Sequence, residues 1–471
     1  MKKLTYLILV LAVLPVLSMQ ALTRYVTTTG SDSNSGTSWT TAYLTVIKAI
    51  SSSTSGDVIY VAKGTYITLL DATIVIKDGV SMYGGYDDVT GLRDVVNNKT
   101  ILKANGTNVR VLAAATASLT TSTVCDGFTI TGGTRTSVSG AQIGTNCTLS
   151  NCIIAGNINN GGVYFNGAGK LLNCIVENNT STGTGAGISN AGGGDCIIEN
   201  CIIRNNKATG TGGCAGVVLR ANSVMKNCII ANNEATAGNT GGINTWENPR
   251  IINCTVVNNK ASGTSGAVNL GGTTTIINSI LWNNSSASGV VTLSGATMTT
   301  CAVQSSASSG SILLNAANAD VAGPNFINPS ITIGYTTDDQ SLFNWQLSTG
   351  SPCINTGTDV SASGVTTDML GNARPKGGNF DIGAYEFNGT TTDVVDINKT
   401  EMFILYPNPA SDHLTVNLQN IRSVNVYSVT GAIVPIKISN SQIDVSHLVN
   451  GIYNFVVKAG DKTFITRIVK N

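Results

Sequence analysis

The cysteines of this 471-residue chain recur at a regular spacing, which raises the question of metal binding or disulfide formation. Five of the eleven recur at intervals of 22 to 27 residues, each directly after an asparagine: Cys152, Cys174, Cys201, Cys228 and Cys254. Thiols in series can bind a metal, form disulfides or lie buried and free. A tetrahedral metal site needs ligands that converge on one point, whereas equally spaced residues form a line. The spacing therefore favours a buried stack without a metal, and leaves disulfides between neighbours open.

The charged residues bear on acid–base catalysis. The only histidines, His413 and His447, lie near the C-terminus. Aligning the repeats on the asparagine places residues of opposite charge side by side: Glu177 and Arg204, Glu199 and Lys226, and Glu234 between Lys207 and Lys260. Opposite charges on neighbouring strands stabilise a sheet by roughly 0.2–1 kcal/mol, and they keep a carboxylate ionised, which is the wrong state for a general acid. This pairing argues against a glycosidase, which needs two carboxyl groups about 5–9.5 Å apart.

Three cations have no acidic neighbour in the alignment. Lys170, Arg220 and Arg250 could each act as the base of a polysaccharide lyase, so a lyase or a glycoside hydrolase remains the alternative function. Asp32 and Asn34 begin a loop of the calcium-binding type, but the closing glutamate is missing and we expect a plain turn. The sequence therefore predicts no cofactor, and whether the chain is an enzyme stays open, with the balance against it.

One aromatic residue favours binding over catalysis. Arg220 and Trp246 each stand four residues after a glycine of the repeat, Gly216 and Gly242, so they should be neighbours, with Glu247 beside them. An indole ring stacks well on a sugar ring, and a guanidinium can hydrogen-bond sugar hydroxyls. Arg220, Trp246 and Glu247 are therefore the candidate glycan-contact residues.

The element that positions these residues is a repeat. One phrase, asparagine–cysteine followed by two β-branched or aliphatic residues, recurs from Asn151, and an asparagine pair follows it, as in Asn205–Asn206. A period in the twenties is typical of a solenoid. Each unit holds several short strands and no helical stretch, and the leucine-rich frame is absent, so the units predict a parallel β-helix in which like residues form ladders.

The two ends of the repeat differ from its middle. The stretch from Thr41 to Ile50 predicts a short amphipathic helix that covers the open end of the solenoid. This opening resembles that of many secreted bacterial β-helix proteins, which include polysaccharide lyases and relatives without known activity. The other end resembles the closing motif of secreted β-helix proteins with interchangeable anchoring tails, and its charged residues predict a hydrogen-bonded cap: Asp368, Arg374, Asp381 and Glu386.

The last seventh of the chain predicts a separate domain. Alternating strands after a threonine-rich linker predict a small antiparallel β-sandwich. Its motifs are Tyr406-Pro407-Asn408-Pro409, Gly451-Ile452-Tyr453 and a lysine-bearing end. They resemble the type A sorting domain of type IX secretion. The resemblance implies the type IX machinery as partner and a location outside a Gram-negative cell or on its outer-membrane surface.

The N-terminus indicates export from the cytoplasm, and the composition argues against a nucleic-acid partner. Lys2 and Lys3 precede an apolar run and Ala21, the layout of a secretory signal peptide. Only 11% of residues are charged and the net charge is +1, which argues against nucleic acid as a partner. We expect a signal peptide (1–21), an all-β, right-handed parallel β-helix (22–387, closing cap about 340–387), a linker (388–400) and the sorting domain (401–471). The predicted function is extracellular polysaccharide binding or adhesion, with no transmembrane segment in the mature chain.

Overall fold

The computed structural model describes residues 21–114, 118–263, 265–266, 268–287, 291–304, 312–313, 323–389, 405–406, 410–416, 421–428, 433–439, 442–459 and 462–471. The predicted signal peptide and the predicted linker lie outside these residues, apart from Ala21, Asn388 and Gly389. The chain divides into two compact units, Met1–Gly389 and Thr390–Asn471. None of the described helices is both long enough and apolar enough to span a membrane.

The first unit is a parallel β-solenoid with three long sheets, which confirms the predicted all-β solenoid. Sheet 1 has eleven strands: Thr23–Val26, Val58–Ala62, Ser81–Tyr86, Ser118–Asp126, Thr145–Ser150, Lys170–Leu172, Ile197–Glu199, Val224–Lys226, Arg250–Ile252, Thr275–Ile277 and Thr297–Thr299. Sheet 2 has eleven: Gly64–Ile67, Thr100–Lys103, Phe128–Thr131, Ile153–Ala155, Ile175–Glu177, Ile202–Arg204, Ile229–Ala231, Thr255–Val257, Ile280–Trp282, Ala302–Val303 and Ile312–Leu313.

The third wall and a short fourth sheet complete each coil. Sheet 3 has nine strands: Ile74–Ile76, Leu112–Ala114, Ala141–Ile143, Val163–Phe165, Ile188–Ser189, Val217–Leu219, Ile243–Thr245, Val268–Leu270 and Val291–Leu293. Sheet 4 has five: Thr180–Ser181, Lys207–Ala208, Glu234–Ala235, Lys260–Ala261 and Ser285–Ser286. Because strand residues alternate in direction, one residue in two points inward and forms the core.

The turns explain why asparagine recurs. The phrase asparagines join sheet 1 to sheet 2 with φ near +50°, for example 53° at Asn173 and 52° at Asn227. The first asparagine of each pair also has positive φ, 54° at Asn205. Among residues with a side chain, asparagine tolerates this left-handed conformation best. The repeated asparagines therefore fix the corner at which every coil bends.

The interior contains two ladders. The second asparagine of each pair is buried. From Asn179 to Asn259 its Nδ2 donates to the asparagine Oδ1 of the next coil, at 3.0 Å from Asn206 to Asn233 and 2.9 Å from Asn233 to Asn259. The cysteines form a second ladder, with 3.4 Å between the Cys152 amide nitrogen and Cys174 Sγ. All eleven cysteines are buried and free, including the five whose spacing favoured a buried stack.

The N-terminal end carries a single α-helix, α1 (Val46–Ser51), which is shorter than the predicted stretch. A 3₁₀ turn at Trp39–Thr41 precedes it. Thr45 begins the helix, because its side chain accepts a hydrogen bond from the Lys48 amide. The buried face of α1 packs against the first strands of sheets 1 and 3.

The other end is a long irregular stretch that we call the closing segment, residues 323–389. It contains the strands Phe326–Asn328 and Asn344–Leu347 and the 3₁₀ turns Gln340–Leu342 and Ser361–Ser363. The closing segment packs against several earlier coils as well as the last one. Trp345 and Ala384 pack on the outer face of sheet 2 at Ile229, Ala231 and Val257.

The second unit has two four-stranded antiparallel sheets. One contains Leu405–Tyr406, His413–Val416, Gln442–Asp444 and Lys437–Ser439, and the other contains Ile433–Val434, Ile421–Ser428, Gly451–Ala459 and Lys462–Lys470. Leu414 and Ile443 of the first sheet share one buried cluster with Val426 and Phe455 of the second.

Candidate functional site

The strand register places Arg220 and Trp246 on neighbouring coils. Leu219 pairs with Thr245 in sheet 3, and the Trp246 amide donates to Leu219 O at 3.1 Å. The next residue of each coil starts the turn towards sheet 1, so Arg220 lies directly below Trp246. The Arg220 guanidinium carbon is 4.8 Å from the centre of the Trp246 ring, a cation–π contact. The predicted neighbours are therefore in contact.

The guanidinium keeps its hydrogen-bonding capacity. Arg220 Nε is buried without a partner, and the side chain makes no ion pair or hydrogen bond to a residue that the structure describes. A buried donor without a partner costs roughly 1–3 kcal/mol. The site therefore holds an unused donor next to an aromatic ring.

Glu247 has a positioning role in this turn. Its Oε2 accepts a hydrogen bond of 2.6 Å from the Ala221 amide of the coil below. Both residues have left-handed backbones, with φ of 71° at Glu247 and 54° at Ala221. The carboxylate thus fixes the turn that carries Arg220.

One side of the indole is open. Arg220 covers the side towards the N-terminal coils, and the next coil has Gly271 at the equivalent position, following the Thr245–Leu270 pair. A Cβ added to Gly271 would come within 3.9 Å of Trp246 Cδ1, so any larger side chain would lie over the ring. Trp246 is 37% exposed. A planar apolar ligand face can therefore stack on this side.

The predicted charge ladders are present. Arg204 Nε lies 2.7 Å from Glu177 Oε2, Lys226 Nζ lies 3.2 Å from Glu199 Oε2, and Lys260 Nζ lies 3.0 Å from Glu234 Oε1. Lys207 is in register with Glu234, while its ammonium lies over the Tyr335 ring at 5.4 Å. Each of the three glutamates thus lies beside a cation of a neighbouring coil.

The structure does not bring the three candidate lyase bases together. Lys170 and Arg250 lie in one outer column of sheet 1, three coils apart, or about 14 Å at 4.8 Å per coil. Arg250 Nη2 donates to Ser363 Oγ of the closing segment at 2.7 Å. Arg220 lies beyond sheet 3, in a different turn.

The four charged residues of the closing motif form one buried cluster. Arg374 Nη1 lies 2.7 Å from Glu386 Oε2, and both side chains are fully buried. Asp381 accepts the Asn355 amide at 2.7 Å, and Asp368 accepts the Leu370 amide at 2.8 Å. Burial raises the pKa of the Asp381 and Glu386 carboxyls and lowers that of Arg374. The cluster organises the fold of the closing segment.

Metal ligation has no support in the described part of the chain. There, no group of three or more His, Cys, Asp or Glu residues is arranged to hold a metal ion. In the loop that resembles a calcium site, Asp32 accepts hydrogen bonds from the Leu44 and Thr45 amides at 3.0 and 2.9 Å. Its carboxylate therefore fixes the turn before α1.

The sequence did not reveal a polar cavity of about 390 Å³ between the closing segment and sheet 2. Its lining includes Glu177, Arg204 and Tyr335, together with Asp338 and Asp339. Arg204 Nη1 donates to Gln340 O at 2.7 Å across it. More than 130 residues separate its two walls, and no repeat relates them, so no sequence signal could have paired them.

The predicted sorting residues lie in the second unit. Tyr406 is in the strand Leu405–Tyr406, and Gly451 and Tyr453 are in Gly451–Ala459. Tyr453 Oη donates to Val449 O at 2.9 Å. Pro407, Asn408 and Pro409 lie outside the described residues.

Three solved structures are among those that align with this chain. Pectate lyase Pel9A aligns at a TM-score of 0.44 and 17% identity over 79% of this chain and 98% of that chain. A 1,3-α-1,4-β-D-galactose-4-sulfate-3,6-anhydro-D-galactose-2-sulfate 4 galactohydrolase aligns at 0.27 and 13%, over 56% and 72% of the two chains. Iota-carrageenase complexed to iota-carrageenan fragments aligns at 0.21 and 15%, over 48% and 51%.

Family models match both units. No curated protein matches the chain. The model of the right-handed β-helix region matches residues 78–261 and 137–326, more than half of the chain together. The model of the secretion system C-terminal sorting domain matches residues 404–471. The chain is therefore a member of the right-handed β-helix family, and residues 404–471 form a type IX secretion sorting domain.

Proposed function

We propose that this protein binds an extracellular glycan through Arg220 and Trp246 after export by type IX secretion. The observation that carries the proposal is the 4.8 Å cation–π stack, in which the guanidinium has no hydrogen-bond partner among the described residues and the indole keeps one side open. Glu247 holds the turn that presents both side chains.

The chemistry of the pair suits a sugar ring. Sugars have a face of C–H groups that packs on aromatic rings, and hydroxyls at the rim that accept hydrogen bonds. Stacking on Trp246 would cover the open side of the indole, while Arg220 would donate to a ring hydroxyl. A single contact of this kind is weak, so we expect dissociation constants near the millimolar range, or about −4 kcal/mol.

The test is a glycan array probed with the exported form of the protein. We predict that Trp246→Ala reduces binding at least tenfold for the glycans that the parent protein retains, and that Arg220→Gln reduces it less. Lys103→Ala is the matched control, because Lys103 is an exposed cation on another wall. Unchanged binding by Trp246→Ala would refute the site.

An assay with the same glycans distinguishes binding from cleavage. The protein is incubated with each polysaccharide, with and without calcium, and the products are assayed for unsaturated ends and reducing ends. We expect neither product, because the glutamates of the wall are ion-paired. Release of either would establish the alternative, a polysaccharide lyase or a glycoside hydrolase.

We also propose roles for the two ends of the first unit and for the C-terminal domain. Residues 1–21 act as a signal peptide, α1 shields the apolar end of the solenoid, and the two C-terminal sheets form a sandwich. Tyr406 to Pro409, Gly451 and Tyr453 contribute the sorting signal that the type IX machinery reads. Export leaves the β-helix outside the cell or on the outer-membrane surface.

A further inference from the structure

Two arginines of the solenoid lie beside each other without an acidic partner. Arg135 belongs to the turn between the strands Phe128–Thr131 of sheet 2 and Ala141–Ile143 of sheet 3. Its amide donates to Val109 O of the coil below at 3.1 Å, which places it next to Arg110. Among the described residues neither arginine forms an ion pair, whereas the glutamates of the wall each lie beside a cation. Because like charges side by side destabilise a sheet, this pair is a candidate site for an anion from outside the chain.

Contacts with the next coil hold the Arg110 guanidinium in one orientation. Its Nε donates to Val138 O at 3.3 Å, and its Nη1 donates to Gln142 Oε1. Gln142 is itself fixed, because it lies in a strand of sheet 3 in register with Ala113 and Tyr164. These bonds use two of the five N–H donors of a guanidinium. The Nη2 group is not buried and donates to no residue that the structure describes, so it remains available to a ligand.

The electrostatic environment of Arg110 favours a bound anion. The side chain is half-buried, and burial together with the charge of Arg135 lowers its pKa to about 10. Both effects mean that the charged guanidinium is less stable here than in water. Arg135 is exposed, and its Nε donates to Ser137 Oγ at 3.0 Å, while its Nη groups donate to no described residue. A negative group between the two arginines would replace the lost hydration and offset the repulsion.

An aromatic ring lies one coil above the residue that holds Arg110. Tyr164 is the strand partner of Gln142, and adjacent strands are about 4.8 Å apart. Val163 and Phe165 on either side point into the core, so the half-buried Tyr164 ring is on the outer face of sheet 3. Its hydroxyl makes no hydrogen bond within the described part of the chain. A ring at this distance can contact the C–H face of a sugar whose anionic group the arginines bind.

We propose that Arg110 and Arg135 bind the carboxylate or sulfate group of an acidic saccharide, whose sugar ring contacts Tyr164. A guanidinium offers parallel N–H groups that match two oxygens of such a group. Two guanidiniums without a carboxylate select a negative ligand, and the tyrosine favours a saccharide over a free inorganic ion. The net charge of +1 gives a nucleic acid no wider basic surface to bind.

This site is separate from the proposed glycan contact at Arg220 and Trp246. The outer column of sheet 3 runs from Gln142 through three coils to Val218, or about 14 Å at 4.8 Å per coil. Arg220 follows Val218 by two residues. The inference does not rest on that contact, and binding at the arginine pair should persist in Trp246→Ala.

The test measures the binding of fluorescein-labelled hexasaccharides by fluorescence anisotropy, with the full chain after signal-peptide removal. The carboxylate probes come from alginate and polygalacturonate, the sulfate probe from dextran sulfate, and a dextran hexasaccharide is the neutral reference. We expect saturable binding of a carboxylate or sulfate probe, at least tenfold tighter than that of the neutral probe. Binding should weaken as sodium chloride rises from about 50 mM to about 500 mM, because salt screens the attraction.

The variants assign the binding to the proposed residues. Arg110→Gln/Arg135→Gln should weaken binding of the acidic probe at least tenfold, and Tyr164→Ala should weaken it about threefold. Lys437→Gln/Lys458→Gln is the matched control, because it removes the same charge from exposed strand residues of the second unit. Far-UV circular dichroism checks the fold. Arg135→Gln alone, at an exposed side chain, should still weaken binding at least threefold if the double variant is unstable.

Four results would overturn the proposal. They are no saturable binding of any acidic probe to the parent chain, equally tight binding of the neutral probe, unchanged binding in the arginine variants, or an equal loss in the lysine control. Competition by inorganic sulfate or by single-stranded DNA at the concentration at which the acidic saccharide itself competes would overturn the assignment to a saccharide.

Discussion

At the scale of single residues, all eleven thiols are buried, which keeps reagents in solution away from them. Burial raises the pKa of Cys147, Cys196 and Cys301 to about 12. At pH 8 the thiolate fraction is then on the order of 1 in 10,000, against about a quarter for an exposed thiol of pKa about 8.5. Since all eleven thiols are buried and out of reach of a reagent, we predict that Ellman's reagent labels no cysteine of the native protein within minutes and labels eleven after denaturation.

The denatured sample is the control for oxidation. Fewer than eleven thiols after denaturation without reductant would mean that some cysteines are paired. Rapid labelling of the native protein would mean that the ladder opens to solvent, contrary to its burial.

Some contacts between single residues follow from the repeat interval, and others do not. Arg220 and Trp246 could be paired from the sequence, because the repeat fixes the register and each residue follows a glycine by the same interval. Tyr335 and Asp338 could not be assigned to the wall near Arg204, because they belong to a stretch without a repeat. Periodicity specifies contacts between coils, whereas the contacts of the closing segment depend on three-dimensional fit.

At the scale of the element, the buried asparagine ladder links the coils. Asn206 is fully buried, its Nδ2 donates to Val176 O at 2.9 Å and Asn233 Oδ1 at 3.0 Å, and its Oδ1 accepts from Asn179 Nδ2 at 3.0 Å. Every polar atom of the side chain is thus satisfied by another coil. Such a network stabilises the stack only while it is complete.

We predict that Asn206→Ala destabilises the solenoid strongly. The substitution leaves the amide of Asn179 and the carbonyl of Asn233 short of a partner, at a cost of about 1–3 kcal/mol for each unsatisfied group. The measurement is the urea midpoint followed by far-UV circular dichroism. Asn105→Ala is the matched control, because Asn105 is exposed and does not have a left-handed backbone, so its loss should change the midpoint little.

A small shift for Asn206→Ala, equal to that of the control, would show that the ladder contributes no net stability. The sequence already aligns these asparagines, so this element was predictable from its period. The Arg374–Glu386 ion pair was not, because two charged residues twelve positions apart give no sign that both side chains are fully buried.

At the scale of the whole molecule, the two units have separate cores. The solenoid core runs from Val26 to Val303, and the C-terminal core runs from Leu405 to Ile468. No residue belongs to both clusters. A unit with its own core unfolds as a unit of its own.

We therefore predict that the full chain unfolds in two calorimetric transitions. Truncation after Gly389 should remove one transition and leave the other, because the solenoid core from Val26 to Val303 lies wholly before Gly389. Truncation after Ala322 removes the closing segment as well and exposes the outer face of sheet 2 at Ile229 and Val257. This shorter chain should unfold at a temperature several degrees lower than the chain that ends at Gly389, because apolar surface buried at about 25 cal/mol per Å² returns to water. Equal transition temperatures for the two truncated chains would contradict the stabilising role of the closing segment, and one merged transition in the full chain would contradict the independence of the two cores.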